Sequence, residues 1–352
     1  FLMPKPAYAI RLSLVGSEMC IRDRHYENLF NSLPSLEGKS VAITGTTSGT
    51  GFVAANASGK LGANVILLNR SSERADKALI DLRQETPNAN FNQIECDLQS
   101  FDSVRNAVKK IEDACPNELD VICNNARVMA LEDMATVDGY DVQMQTNHLS
   151  HFLLVKRLMP LLKKAAEMRG EARIVNHSSI ARKQPKKTLD AKFLEKNGGN
   201  LGGNGSSLFF GGARWLRYNQ SKLANAAFTA CLHDKLSAAN SKIKAMVAHP
   251  GLAETDLQST TVKEGGMGKW ITEQMMKVGQ SREDGALGIL KCIADPEVKS
   301  GQFVGPGMGG MFTAVKGEAF CYPLEKFYDN ETTRNLLWQK SCDAINESFD
   351  IG

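Results

Sequence analysis

Tyr218 and Lys222 stand four residues apart in Tyr218-Asn219-Gln220-Ser221-Lys222. That spacing puts both side chains on one face of a helix. An ammonium beside a phenol favours the ionised form of a group that otherwise titrates near ~10, and a general acid or base works best when its pKa lies near the working pH. The chemistry on offer is proton transfer to or from an oxygen. Such pairs recur on ordinary helices, so the meaning of this one depends on what the rest of the chain places beside it. The decisive companion is Thr44-Gly45-Thr46-Thr47-Ser48-Gly49-Thr50-Gly51, far upstream.

The apolar run Val41-Ala42-Ile43 precedes this glycine stretch and an apolar helix follows it, which puts a turn between a first strand and a first helix. Gly45, Gly49 and Gly51 permit a tight turn and close backbone approach, with Thr47, Ser48 and Thr50 completing the loop. A helix N-terminus there offers free N–H groups to a diphosphate. A second apolar run ends at Leu68, so Asn69-Arg70 falls where a dinucleotide site reads the adenosine ribose. An acidic residue would bind a 2′-hydroxyl, whereas an arginine accommodates a 2′-phosphate. Arg70 therefore points to NADP(H) rather than NAD(H).

From Gly38 onward, short apolar or β-branched runs alternate with helical stretches. This is the pattern of an α/β, Rossmann-type doubly wound parallel sheet with helices on both faces. About seven strands are expected, at residues 41–44, 64–68, 90–95, 120–123, 173–177, 244–248 and 302–304. Helices are expected at 51–61, 73–84, 101–113, 139–166, 218–237, 283–293 and 332–346, with Ser100 and Ser281 as N-caps. Residues 25–352 read as one domain. A glycine-rich insertion at 183–214 breaks the rhythm, and reads either as a lid carrying Phe209 and Phe210 or as a tolerated loop. The Gly- and Met-rich stretch 252–277 is a second candidate lid.

With 42% hydrophobic residues, 23% charged residues and a net charge of +3 over 352 residues, the chain reads as globular, with no nucleic-acid or anionic-membrane partner. Its eight cysteines form no Cys-x-x-Cys pair, which suits a reducing compartment, cytoplasmic or organellar. The six histidines form no metal-ligand pattern; His148 and His151 are expected to pack or cap. Residues 1–24 are set aside from the fold, because Gly16-Ser17-Glu18-Met19-Cys20-Ile21-Arg22-Asp23 resembles a translated sequencing adapter; the competing reading is a targeting leader. No transmembrane segment is expected.

In this order the motifs resemble those of the short-chain dehydrogenase/reductase superfamily, most of all its retinol-dehydrogenase and WW-domain-oxidoreductase type. They are Thr44 to Gly51, Cys96-Asp97-Leu98, Asn124-Asn125-Ala126, Thr146-Asn147-His148-Leu149, Val175-Asn176-His177-Ser178-Ser179, Tyr218 to Lys222, and Pro250-Gly251 with Thr255. The resemblance implies a hydride transfer between nicotinamide and the carbonyl or alcohol carbon of a small apolar substrate, a retinoid, sterol or fatty aldehyde. It implies that Tyr218 moves the proton, that Lys222 lowers the tyrosine pKa and holds the nicotinamide ribose, and that Ser179 binds the substrate oxygen while Ser178 is structural. Asn147 would bend its helix and hold a water leading to Lys222. Asp97 and Leu98 would contact adenine, Asn124 and Ala126 would line the cofactor, and Thr255, after Pro250 and Gly251, would hold the carboxamide. Pairing of two copies through the Tyr218 helix is also implied.

The chain departs from the pattern at Arg127, where the family has glycine after Asn-Asn-Ala. A side chain there would strain the backbone if φ must be positive, or crowd the nicotinamide. The alternative is therefore a cofactor-binding scaffold or sensor without turnover; Arg127 could instead meet an acidic substrate. A light-driven, protochlorophyllide-reductase-like enzyme is a second alternative. A serine hydrolase lacks its Gly-x-Ser-x-Gly elbow.

Overall fold

The computed structural model describes residues 24–183, 188–207, 211–254, 256–307, 315–325 and 330–351. Its centre is an eight-stranded sheet in the order β3-β2-β1-β4-β5-β6-β7-β8. The strands are β1 (Ser40–Thr44), β2 (Asn64–Asn69), β3 (Asn90–Glu95), β4 (Val121–Asn124), β5 (Ala172–His177), β6 (Ile243–Ala248), β7 (Gln302–Pro306) and β8 (Ala319–Pro323). The seven expected strands are all present and parallel. The eighth runs antiparallel to β7, pairing Phe303 with Tyr322.

Alternation along the strands builds a core on each face of the sheet. Val41 and Ile43 of β1, Val65 and Leu67 of β2, and Val121 and Cys123 of β4 point to one side. There they meet α2 (Gly49–Lys60), α3 (Glu73–Glu85) and α10 (Arg282–Ala294), with α1 (Arg24–Phe30) alongside. Ala42, Ile66, Ile122 and Ile174 point to the other, against α4 (Phe101–Ala114), α6 (Ser150–Arg169), α7 (Ala213–Ala238) and α11 (Glu331–Ile345). Ser100 and Ser281 cap α4 and α10 as expected, each accepting from the backbone N–H three residues on.

The helix expected over 139–166 is built in pieces. Asp141 caps α5 (Val142–Met144), a π-turn follows over Gln145–Leu149, and α6 continues from Ser150. The local bend expected at Asn147 thus takes the form of one widened turn, which re-aims the side chains it carries.

The glycine-rich insertion is tied down along its described length. The Asp133 carboxylate accepts from the N–H groups of Leu201 (2.8 Å) and Gly203 (2.6 Å), and Arg217 of α7 donates to the carbonyls of the same two residues at 3.2 and 2.9 Å. A buried ion pair between Arg217 Nε and Asp141 Oδ2, 3.2 Å apart, anchors that clamp. Phe209 and Phe210, the expected lid aromatics, lie outside the described residues. The outer face of α7 is covered by α11: Trp338 packs against Phe228, and Lys235 Nζ lies 4.6 Å from the Trp338 ring centre. That stretch of α7 is thus covered by the same chain.

Candidate active site

The glycine turn is shaped by what it must avoid. Gly45 has φ +69°, and a Cβ on it would lie 2.8 Å from Ala126; a Cβ on Gly51 would lie 2.2 Å from the Gly45 carbonyl and 2.3 Å from the Asn125 amide. Only glycine allows β1, the turn and β4 to come this close. Asn69, at the end of β2, holds the turn from the other side, accepting from Thr46 N at 2.8 Å and donating to Thr46 Oγ1 at 2.8 Å. The N-terminus of α2 then faces a cleft with its first N–H groups unused by the helix.

This cleft has a volume of about 520 Å³ and lies at the carboxyl ends of the strands. Of the expected cofactor residues it is lined by Gly45, Thr47, Ser48, Gly49, Thr50, Gly51, Arg70, Asp97, Leu98 and Ala126. At its adenosine end sequence reasoning missed Arg74, whose Nη2 donates to Ser48 Oγ. The residue is the second of α3, and its spacing from Arg70 was the available signal. Leu257, Thr260 and Thr261 of α8 (Asp256–Lys263) roof the opposite side, so the stretch 252–277 does border the site.

Three expected residues stand elsewhere. Asn124 is buried in β4 and donates to Asn176 Oδ1 at 2.8 Å, joining two strands rather than lining the cleft. Its neighbour Asn125 takes the cleft position, donating to the carbonyls of Thr44 (2.8 Å) and Gly45 (3.0 Å) and accepting from Thr50 Oγ1 (3.1 Å). Strand alternation explains the exchange, since the two side chains leave β4 in opposite directions. Pro250 and Gly251 form a turn outside the cleft lining, with the Pro250 carbonyl accepting from Gln280 Nε2 at 2.7 Å. Thr255 lies outside the described residues.

The residues expected to move the proton converge behind this cleft. Tyr218 is 3% exposed and Lys222 is wholly buried. Ser179 lies beside the phenol of Tyr218. Ser178 Oγ donates to the Lys222 carbonyl at 2.7 Å, which fits the structural part expected of it. The Tyr218 pKa lies above its ordinary value: burial raises it more than the positive charge of Arg127 and the Ser179 hydroxyl lower it. Lys222 stands beside the Tyr218 ring. Its Nζ donates to the His177 carbonyl at 3.0 Å and lies 5.9 Å from the Tyr218 ring centre, because a buried ammonium goes to the acceptor within reach.

Asn147 holds the wall of the site. Its Oδ1 accepts from Val128 N at 2.8 Å, and its Nδ2 donates to the Val128 carbonyl at 3.0 Å and to Ser221 Oγ at 2.8 Å. The main chain after Arg127 is thereby fixed to the π-turn. Arg127 itself causes no backbone strain, for the only non-glycine residues with positive φ among those described are Ala130, Asn240 and Asn346. Over Tyr218 lies an apolar cap of Met129, Ala130 and Trp215, with Ala181, Leu257 and Met267 packed against it. Trp215 meets the tyrosine edge-on at 5.8 Å and donates from Nε1 to the Gly266 carbonyl at 3.0 Å.

His148 and His151 pack inside, as expected. His151 Nε2 lies 3.0 Å from Thr44 Oγ1, and His148 Nε2 lies 2.9 Å from Ser341 Oγ. Among the described residues there is no cluster that could hold a metal, and no helix long and apolar enough to cross a membrane.

Comparison with known proteins matches residues 39–191 to the short chain dehydrogenase family. Human retinol dehydrogenase 13 is 32% identical over 258 residues, covering 73% of this chain and 71% of that protein. Human polyprenol dehydrogenase is 27% identical over 343 residues, 96% of this chain and 93% of that one. Among solved structures, a putative uncharacterized protein from Mycobacterium paratuberculosis superposes with a TM-score of 0.68 at 28% identity, over 91% of this chain and 98% of that one.

Proposed function

The chain belongs to the short-chain dehydrogenase/reductase family, of the retinol-dehydrogenase-like type, and on that premise we propose that it is an NADP(H)-dependent oxidoreductase. Its reaction interconverts a carbonyl and an alcohol on an apolar substrate such as a retinoid, a sterol, a polyprenol or a fatty aldehyde. The observation that carries this reading is the seating of Tyr218, beside Ser179, directly under an apolar cap and behind a cleft bounded by the glycine turn.

The residues fit a dinucleotide. The space a Cβ would fill at Gly45 and Gly51 is needed for the turn, and the free N–H groups of α2 suit a diphosphate. Arg70, with Arg74 beside Ser48, supplies positive charge where a 2′-phosphate would lie, which supports NADP(H) over NAD(H). When bound, the nicotinamide supplies or takes the hydride. Everything else falls to the chain. Ser179 orients the substrate oxygen, and Tyr218 gives it a proton during reduction or takes one during oxidation. With its pKa raised by burial, Tyr218 is protonated at neutral pH, the form that reduction needs. Lys222, fixed by the His177 carbonyl, braces the floor of the site. The cap of Met129, Trp215, Leu257 and Met267 excludes water and favours an apolar carbonyl compound.

Initial rates of NADPH and NADH oxidation at 340 nm, over retinal, a polyprenal, fatty aldehydes and steroid ketones, test this reading. Turnover that prefers NADPH and an apolar carbonyl supports it. Equal rates with NADH would remove the cofactor assignment. The scaffold reading rests on Arg127 in the cleft wall and would be favoured by tight NADPH binding with no turnover on any carbonyl.

A further inference from the structure

Arg127 lines the cleft as a cation without a counter-ion among the described residues. Its Nη1 lies 3.0 Å from His177 Nδ1, 3.3 Å from Asn125 Oδ1 and 3.5 Å from Thr50 Oγ1, and 3.4 Å from the Asn125 carbonyl. None of these partners carries a negative charge. His177 is neutral, its pKa held well below the ordinary value by burial and then by Arg127 and Lys222. The remaining guanidinium nitrogens, Nε and Nη2, make no hydrogen bond to a described residue.

The neighbouring charge makes the imbalance worse. Lys222 is buried in the same cluster, and burial first and Arg127 second push its pKa well below the ordinary value. No carboxylate among the described residues pairs with either side chain or offsets its charge. A half-buried guanidinium beside a buried lysine is costly unless an anion meets them. Thr50 is the second residue of α2, so the tethered guanidinium stands at the positive end of that helix, beside its unused N–H groups. A planar fork and a helix N-terminus converge on one kind of ligand, a phosphate oxyanion.

We propose that Arg127 binds the diphosphate of the dinucleotide, acting as a fixed cation beside the glycine turn. This rests on the dinucleotide reading given above. The residue that departs from the family pattern is, on this view, a cofactor ligand rather than an obstruction. The same fork could instead meet a carboxylate of the substrate, and the experiment separates the two sources.

Dissociation constants for NADPH, from the fluorescence of the bound nicotinamide, are to be measured for the wild type, Arg127→Gly and Arg127→Lys. Binding of adenosine 2′-monophosphate, which lacks the diphosphate, is followed by ligand-observed NMR. Loss of a charge-assisted hydrogen bond should weaken NADPH binding by about 10- to 100-fold in Arg127→Gly, with a smaller loss in Arg127→Lys. Binding of adenosine 2′-monophosphate should not change, which also shows that the variant is folded. If Arg127→Gly does not fold, the decision passes to Arg127→Lys, in which unchanged NADPH affinity would overturn the proposal. Equal or tighter NADPH binding by Arg127→Gly would likewise overturn it. If in addition a fatty acid inhibited the wild type and not the variant, the ligand would be a substrate carboxylate. A wild type that binds no NADPH would instead sink the dinucleotide reading itself, a result distinguishable from a variant that binds as well as the wild type.

Discussion

Replacing Arg217 by Met removes the cation from a buried cluster that joins the Tyr218 helix to the glycine-rich insertion. Arg217 and Asp141 are both 0% exposed, with Nε and Oδ2 3.2 Å apart, and Asp133 Oδ2 lies 3.6 Å from Nη1. The guanidinium also donates to the carbonyls of Leu131, Leu201 and Gly203. Taking one partner from a buried pair leaves the other charge unpaired and costs about 3–5 kcal/mol. At about 2 °C per kcal/mol for a domain of this size, the midpoint of thermal unfolding should fall by roughly 6–10 °C.

The pH dependence gives the cause away. Burial lifts the Asp141 pKa to about 6 even with Arg217 beside it, and without the arginine it rises further above the unfolded value of about 3.9. Below its folded pKa the carboxyl takes up a proton, and the penalty for an unpaired anion disappears. The deficit of Arg217→Met is therefore largest near pH 8 and shrinks toward pH 5. Thermal unfolding followed by circular dichroism at both pH values measures it. Arg282→Met serves as the control: its arginine is 48% exposed and pairs with Glu283, so it should shift the midpoint by less than about 2 °C. A deficit that is equal at the two pH values, or no larger than the control's, would refute the role given to the cluster.

Other consequences can be checked separately. Burial lowers the pKa of His148 to about 3 and of His151 to about 4, whereas the unfolded chain protonates its histidines near ~6.5. Both groups therefore favour the folded state above that value, and each should lose about 1.4 kcal/mol of stability per pH unit from there down to its folded pKa, read by urea unfolding as a function of pH. Arg74→Ala, or Arg70→Ala, should raise the KM for NADPH by about 10-fold or more through loss of a phosphate contact and leave the KM for NADH nearly unchanged; equal effects on both would remove the 2′-phosphate site. Because the Tyr218 pKa is raised, the kcat of reduction should be flat through neutral pH and fall only above the ordinary phenol range. A fall beginning near neutrality would mean that some other group supplies the proton.

The sheet was legible because each βαβ unit carries its own apolar run, and parallel strands buried on both faces show such runs plainly. β8 was not, since Ala319–Pro323 is short, mostly exposed and ends in proline, as an edge strand does. The start of α7 was misplaced at Tyr218 because Arg214 and Arg217 look like surface residues in sequence. In the structure both are buried, carrying charge inward to carbonyls and carboxylates of distant segments. The glycine turn, the Tyr-x-x-x-Lys spacing and Ser179 were readable from residue type and order alone. Which of Asn124 and Asn125 faces the cleft, and that Lys222 turns to a carbonyl, depend on strand direction and tertiary neighbours. Arg127 stood out as a departure, but its contacts with Thr50 and His177 join three elements and could not be seen in one.

Binding and turnover of NADPH, measured on the same preparations of wild type and Tyr218→Phe with an apolar aldehyde present, bear most directly on the proposed reaction. Both proteins should bind NADPH with similar affinity, and only the wild type should oxidise it. Undiminished turnover by Tyr218→Phe, or a wild type that binds NADPH and reduces no carbonyl, would contradict the assignment of Tyr218 as the proton donor of a reductase.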